Sequence, residues 1–249
     1  MRVIIAAAGT AGHINPGLAI ANKIKKEEKD SEILFIGTTR GLENDLVPRA
    51  GYKLKTIEAY GLSKELSIEN IKKMYKTWKG LGEAKKIIKD FKPDIVIGTG
   101  GYICGACILA AKKYKIPTVL HESNAFPGKA VKMLAKNTDT ILVGFEDAIS
   151  RIKNGKNNVY TGNPIKIHRK EYGINEKTNI LKQIDLSPIQ PIVLIFGGSQ
   201  GAKTINEAIC GIIEKKMNKK YQIIWATGPK QYDIIKSELD GKNININNI

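Results

Sequence analysis

Cysteine is scarce: Cys104, Cys107 and Cys210 are the three in 249 residues. Three thiols cannot build a disulfide framework, and a reducing compartment is expected. Aromatic residues make up 6% of the chain, with two tryptophans. No apolar run approaches the roughly 18 residues that span a bilayer. The first such run, Val3–Ala8, is cut off by Gly9 and is too short for a signal-peptide core. Arginine is scarcer than its partner cation, five residues against thirty-five lysines. Arginine is the usual side chain for bidentate reading of bases and phosphates, so no nucleic-acid partner is expected. Three nucleotide signatures are also missing. There is no G-x-x-x-x-G-K-[ST], which excludes a P-loop ATPase. There is no D-x-D pair to hold a metal-bound diphosphate, so no metal and no cofactor are expected. The first glycine turn is not G-x-G-x-x-G, and the second strand ends in Thr38-Thr39-Arg40 without the acidic residue that holds a ribose. Arg40 could hold a 2′-phosphate, so a nicotinamide-dependent oxidoreductase is disfavoured rather than excluded.

What remains is ordinary for a soluble globular protein: 42% hydrophobic and 26% charged residues, 27.4 kDa. That length suits one large domain or two small ones. The charge balance is unusual, forty basic against 24 acidic residues, net +16. A lysine-rich surface attracts an anionic membrane leaflet or other diffuse negative charge. A compositional bias toward Lys, Ile and Asn is the blander reading.

Short apolar runs alternate with helical periods, which predicts βαβ units and a parallel sheet covered on both faces. Strands are expected at Arg2–Ala8, Ile33–Gly37, Leu54–Ala59, Pro93–Gly98, Thr118–His121 and Thr140–Phe145. Helices are expected at Pro16–Glu28, Gly41–Ala50, Ile68–Phe91, Ile103–Lys113 and Gly128–Lys136. The rhythm pauses at Gly162-Asn163-Pro164, and Ile165–Gln190 shows no clear period. It resumes with Ile192–Phe196, a helix over Lys203–Met217, Tyr221–Ala226, a helix over Pro229–Leu239 and strand-like Lys242–Ile249. The expected domains are therefore 1–163, complete, and 164–249, about half of a doubly wound sheet.

Three strand-to-helix turns are rich in glycine: Gly9–His13, Gly98–Tyr102 and Gly197–Ala202. Ligands of open parallel sheets bind beyond the carboxyl ends of the strands, where glycine permits close backbone approach and helix starts offer free N–H groups. Three such loops favour a phosphate- or sugar-binding site. The pair Cys104-x-x-Cys107 has no second pair to complete a metal site and reads as buried small residues.

Ala8-Gly9-Thr10-Ala11-Gly12-His13-Ile14-Asn15-Pro16, Gly100-Gly101-Tyr102, His121–Gly128, Thr161–Ile165 and Gly197–Ala202 together resemble the bacterial peptidoglycan N-acetylglucosaminyltransferase (MurG) family. The resemblance covers nearly all of the chain. It implies an α/β, GT-B-like fold, with a complete Rossmann-like acceptor domain and an incomplete second Rossmann-like donor domain. It also implies inverting transfer of N-acetylglucosamine from UDP-N-acetylglucosamine to lipid I, giving lipid II. The setting would be peripheral, at the cytoplasmic face of the plasma membrane. The family's loop usually reads GGTGGH; here alanine takes two of the glycine places, and Ala11 adds a Cβ where a positive φ or a close approach of the backbone is expected to be needed. Lys166 stands where a phosphate-directed arginine is usual. The family's chain continues about a hundred residues further, so this one looks truncated in its donor domain. A catalytically weak or inactive remnant and a related lipid glycosyltransferase are the other readings.

His13 is the candidate general base, since an imidazole titrates near neutrality. It reads equally as a helix-start histidine bonded to a turn, or as an acceptor-binding one. Glu122 is the competing base or a helix-capping glutamate. Thr10, Ala11, Gly12, Gly101, Tyr102, Asn124, Lys166, Ser199 and Gln200 are the candidate substrate contacts. His121 is expected to pack or orient, and His168 to be solvated. Residues 70–92 carry eight lysines against Glu83 and Asp90. Ile71, Met74, Tyr75, Trp78 and Leu81 share one helical face flanked by Lys72 and Lys76, the pattern of a basic amphipathic helix at an anionic interface. The same stripe could pack on the sheet. Gly80 and Gly82 are expected to break this helix.

Overall fold

The computed structural model describes residues 1–61, 67–165, 170–198, 200–218, 220–242 and 244; of residues 68, 70, 71, 73 and 74 it describes the backbone alone. The chain divides into two compact units, Met1–His168 and Arg169–Ile249.

The first unit alternates strand and helix: β1 (Arg2–Ala7), α1 (Ala11–Glu27), β2 (Glu32–Gly37), α2 (Glu43–Arg49), β3 (Lys53–Thr56), α3 (Ile68–Phe91), β4 (Ile95–Gly100), α4 (Ile103–Lys113), β5 (Thr118–Glu122), α5 (Lys129–Leu134), β6 (Thr140–Val143), α6 (Asp147–Arg151) and β7 (Asn158–Tyr160). Every pairing among these strands is parallel, in the order β3-β2-β1-β4-β5-β6-β7. The two-residue period of a strand sorts its side chains between two cores. Ile4, Leu34, Ile36, Val96, Leu120 and Ile141 pack with Ile88 of α3 and Ile103, Cys107 and Ile108 of α4. Val3, Ile5, Ile33, Phe35 and Ile97 pack with Ile14 and Leu18 of α1 and Val47 of α2. β1 is buried along nearly its whole length, as a central parallel strand must be. Strand order reverses between β1 and β4, which opens a crevice at their carboxyl ends.

Some expectations are corrected. α1 begins at Ala11, so Pro16 lies inside it rather than at its start. α3 runs unbroken through Gly80 and Gly82. Gly80 is buried, and a Cβ there would collide with the carbonyl of Glu58. It marks close packing, not a break. α6 and β7 were not anticipated, because one has five residues and the other three.

The second unit contains α7 (Ile174–Gln183), β8 (Ile192–Phe196), α8 (Lys203–Glu214), β9 (Gln222–Ala226) and α9 (Tyr232–Gly241). β8 and β9 pair in parallel as a two-stranded sheet. Ile209, Cys210, Ile213, Ile223, Ile235 and Leu239 form its core. α7, in the stretch read as aperiodic, buries no residue. The strand expected at Lys242–Ile249 falls mostly outside the described residues.

Candidate functional site

The turn after β1 brings Thr10 to the N-cap of α1 and His13 into its first turn. The positive φ falls on Gly9, at 94°, whereas Ala11 has no left-handed backbone. Ala11 therefore meets no strain from a left-handed backbone. The amides of Ala11 and Gly12 begin the helix and have no helical acceptors. Thr10 makes no side-chain cap, so its hydroxyl is not committed to the helix start.

His13 is half-buried. Its Nδ1 lies 3.0 Å from the carbonyl oxygen of Ala8. A carbonyl only accepts, so Nδ1 carries the proton and Nε2 is left as the acceptor. The register of β1 against β4 shifts after Ala6, which pairs with Gly98 while Ala7 pairs with Gly100. The intervening Thr99 donates its hydroxyl to the backbone carbonyl of His13 at 2.8 Å. A Cβ at Gly100 would collide with the imidazole of His13, and one at Gly101 would lie 2.8 Å from the Ala8 oxygen. The glycines of the second loop thus make room for the histidine and its hydrogen bond. Tyr102, next along, is exposed, and its ring lies over Gly61.

Glu122, at the end of β5, is buried, and its carboxylate is fully engaged. Oε1 accepts from the Asn124 amide at 2.9 Å and from Asn124 Nδ2 at 2.8 Å. Oε2 accepts from the Gly128 amide at 2.7 Å. Committed to three structural donors, Glu122 shapes the loop over 123–128 and is poorly placed to act as a general base. Asn124 is exposed and has its Nδ2 tied back, which leaves its Oδ1 as the group it can present. His121 is buried, its Nε2 3.4 Å from the Gly162 carbonyl and its Nδ1 3.3 Å from the Ser123 hydroxyl. Burial holds its pKa below the usual value, against the opposing pull of the Gly162 carbonyl and the Glu122 charge. It packs and orients, as expected. Asn163 donates to the Ser123 carbonyl at 3.2 Å, tying the Gly162-Asn163-Pro164 turn to the same loop.

One residue at this edge escaped the sequence reading. Glu43, in the first turn of α2, is fully buried. Its Oε1 accepts from the Thr38 amide and hydroxyl at 2.8 and 2.7 Å, and its Oε2 from the Gly9 amide at 2.9 Å. Gly37 and Gly41 leave the space its side chain fills. Those two glycines flanking a helix-start glutamate were the available signal.

In the second unit the loop after β8 has left-handed backbone at Gly198 and Gly201, with φ of 84° and 74°. A Cβ at Gly201 would collide with the Thr227 carbonyl, so the loops after β8 and β9 lie against each other. Asn206, buried in α8, donates to the Thr227 carbonyl and to Gln231 Oε1, both at 2.9 Å, and accepts from Trp225 Nε1 at 3.0 Å. Gln200 is exposed at the loop's rim. Lys166, His168 and Ser199 lie outside the described residues.

Residues 3–143 match the Glycosyltransferase family 28 N-terminal domain, and residues 192–249 match its C-terminal domain. The chain belongs to glycosyltransferase family 28. It is 47% identical over 250 residues to the UDP-N-acetylglucosamine--N-acetylmuramyl-(pentapeptide) pyrophosphoryl-undecaprenol N-acetylglucosamine transferase of Acetivibrio thermocellus, covering 99% of this chain and 67% of the relative. The protein of the same name from Clostridioides difficile is 40% identical, with 98% and 59% covered. The chain thus spans about two thirds of the length of these relatives. The crystal structure of Acinetobacter baumannii MurG superposes with a TM-score of 0.68 at 24% identity, over 99% of this chain and 66% of that one. A UDP-GlcNAc 2-epimerase from Neisseria meningitidis bound to UDP-GlcNAc gives a TM-score of 0.61 at 17% identity, over 97% and 70%. At these identities the likeness is one of fold, and it agrees with the expected GT-B-like class.

Other features of this family 28 chain fall into place. Arg40 donates to the Ala59 carbonyl at 2.8 Å and its guanidinium stacks 3.8 Å from the Tyr60 ring centre, so it is held by structure rather than waiting for a phosphate. Cys104 and Cys107 are buried, and burial pushes the Cys104 thiol up to about 12, so both are inert packing residues. On α3, Tyr75 and Trp78 are 66% and 73% exposed, and Lys72, Lys76 and Lys79 are exposed beside them. Leu81 instead packs against the core. The side chains of Ile71 and Met74 lie outside the described residues.

Proposed function

We propose that this chain supplies the acceptor-binding unit, residues 1–163, and part of the donor-binding unit, residues 164–249, of an inverting glycosyltransferase. The donor is UDP-N-acetylglucosamine and the acceptor is the muramyl C4 hydroxyl of lipid I. The observation that supports this reading is the 3.0 Å contact of His13 Nδ1 with the Ala8 carbonyl oxygen, which sets the tautomer of the imidazole. With Nδ1–H given to Ala8, Nε2 is the nitrogen that takes the hydroxyl proton as the acceptor oxygen attacks C1 of the donor sugar. The new glycosidic bond forms as the bond from C1 to the diphosphate breaks, and UDP leaves with the electron pair. The helix-start amides of Ala11 and Gly12, the Thr10 hydroxyl, Gly101, Tyr102 and Asn124 lie on loops at the same sheet edge and bind acceptor. Ser199, Gln200 and Lys166 are assigned to the donor diphosphate.

The acceptor is lipid-anchored, and the exposed Tyr75 and Trp78 among lysines on α3 support docking on an anionic leaflet at the cytoplasmic face of the membrane. No described helix is long and apolar enough to cross a membrane.

The test is transfer of labelled N-acetylglucosamine to a lipid-linked muramyl-pentapeptide acceptor, in a polypeptide of the relatives' full length carrying these residues. His13→Ala is expected to lower kcat by about 10²–10⁴-fold, the usual worth of a general base, with the donor KM little changed. An unchanged kcat removes His13 from the chemistry.

A further inference from the structure

His13 and Glu43 are joined by a single peptide unit. The peptide between Ala8 and Gly9 offers its carbonyl to His13 Nδ1 at 3.0 Å and its N–H to Glu43 Oε2 at 2.9 Å. Among the described residues no peptide is cis. In a trans peptide the C=O and N–H point in opposite directions along one dipole, so a charge on the N–H side polarises the carbonyl on the other. This peptide is also fixed in place. Gly9 adopts a φ that side-chain-bearing residues rarely take, its carbonyl accepts from the Leu42 amide at 3.3 Å, and Ala8 donates to the Gly100 carbonyl at 3.4 Å.

Glu43 is unusual in its own right. It is fully buried, its three partners are neutral donors, and among the described residues it forms no ion pair. Burying a carboxylate among neutral dipoles is costly. Two glycines, Gly37 and Gly41, are given up to make room for it. A neutral side chain could fill that space, but it could not accept from all three donors and carry the charge.

We propose that Glu43 is a positioning residue for His13: through the Ala8–Gly9 peptide its carboxylate strengthens the Ala8 carbonyl as the acceptor that holds the imidazole in the Nδ1–H tautomer, which leaves Nε2 as the proton acceptor. The arrangement does the work of a carboxylate–histidine pair with one peptide inserted between the partners. No proton passes along it, and Glu43 touches neither substrate. The inference rests on the reading of His13 as the general base.

Nitrogen-15 NMR of the imidazoles in the full chain tests it without turnover, with His13 assigned from the signal lost in His13→Ala. Neutral His13 is expected to show a protonated Nδ1. In Glu43→Gln the Gly9 amide proton is expected to move upfield, and the His13 Nδ1 proton with it, as the Ala8 carbonyl weakens as an acceptor. A wild-type Nε2–H form overturns the proposal, as does a folded Glu43→Gln variant whose His13 and Gly9 signals are unchanged. If Glu43→Gln does not fold, Thr38→Val replaces it. That variant frees one carboxylate lone pair, so the Gly9 amide proton is expected to move downfield, and no movement counts against the proposal. In the transfer assay Glu43→Gln should lower kcat by about 10–100-fold, by analogy with losing the carboxylate that orients a metal-bound histidine through its other nitrogen, with the donor KM kept. Wild-type kcat in His13→Ala would sink the base assignment while leaving the tautomer result standing, so the two failures are distinguishable.

Discussion

Two neighbouring residues of β5, His121 and Glu122, separate charge from chemistry. Glu122 spends its carboxylate on Asn124 and Gly128. Glu122→Gln keeps the shape but can no longer accept from all three donors. A loss of about 1–3 kcal/mol is expected, the cost of a buried polar group left unpaired, read as a lowered midpoint in urea unfolding. His121 is held neutral chiefly by burial, its pKa below the usual value of about 6.5. In that case the unfolded chain binds more protons than the folded one in the window beneath about pH 6.5. The stabilisation is complete above that value and is lost as pH falls toward the lowered folded pKa. Melting temperature should therefore drop between about pH 7.5 and about pH 5.5, and His121→Gln should flatten that slope. A slope unchanged by the substitution would show that His121 is not its source. His13 was legible at this scale because a histidine after a glycine turn is conspicuous. Glu43 was not, because a glutamate in the first turn of a helix looks like any surface charge until its burial is known.

Among the elements, α3 carries a pair of glycines with opposite consequences. Gly80 lies against the Glu58 carbonyl, while Gly82 is exposed with open space where a Cβ would stand. Gly80→Ala should destabilise by about 1–3 kcal/mol through overpacking. Gly82→Ala should stabilise by about 0.5–1 kcal/mol, since alanine loses less entropy in a helix. Thermal unfolding of the two variants reads both signs in one experiment. The ends of α3, Ile68 and Phe91, were legible from its periodicity. The supposed break was not, because sequence alone cannot tell a glycine that bends a helix from one that lets a neighbour in. The central strands β1, β2 and β4 were legible as unbroken apolar runs, which is how burial on both faces is written. β7 and α7 were not, since an edge strand of three residues leaves no period to read, and α7 holds only three large apolar residues, Ile174, Ile180 and Leu181, in ten.

For the whole molecule, net charge and shape combine at α3. On the docking proposed for α3, attraction of about 1 kcal/mol per lysine near an anionic surface, screened by salt, assigns Lys72 and Lys76 a measurable share. Vesicles rich in anionic lipid should sediment the protein at low ionic strength and release it as salt rises, and neutral vesicles should capture little. Trp78→Ala combined with Lys72→Glu and Lys76→Glu should abolish the capture while the unfolding transition stays in place. Retained binding by the triple variant would move the docking face elsewhere. The two units also differ in how many neighbours their strands have. β1 pairs on both sides, with β2 and β4, whereas β8 pairs only with β9 among the described residues and leaves Leu194 and Phe196 about two thirds exposed. Two-stranded sheets are marginal by themselves. In heavy water the molecule should therefore keep two clocks. The β1 amides exchange only when the whole first unit opens, while those of β8 exchange through local fluctuations that leave the rest of the chain protonated.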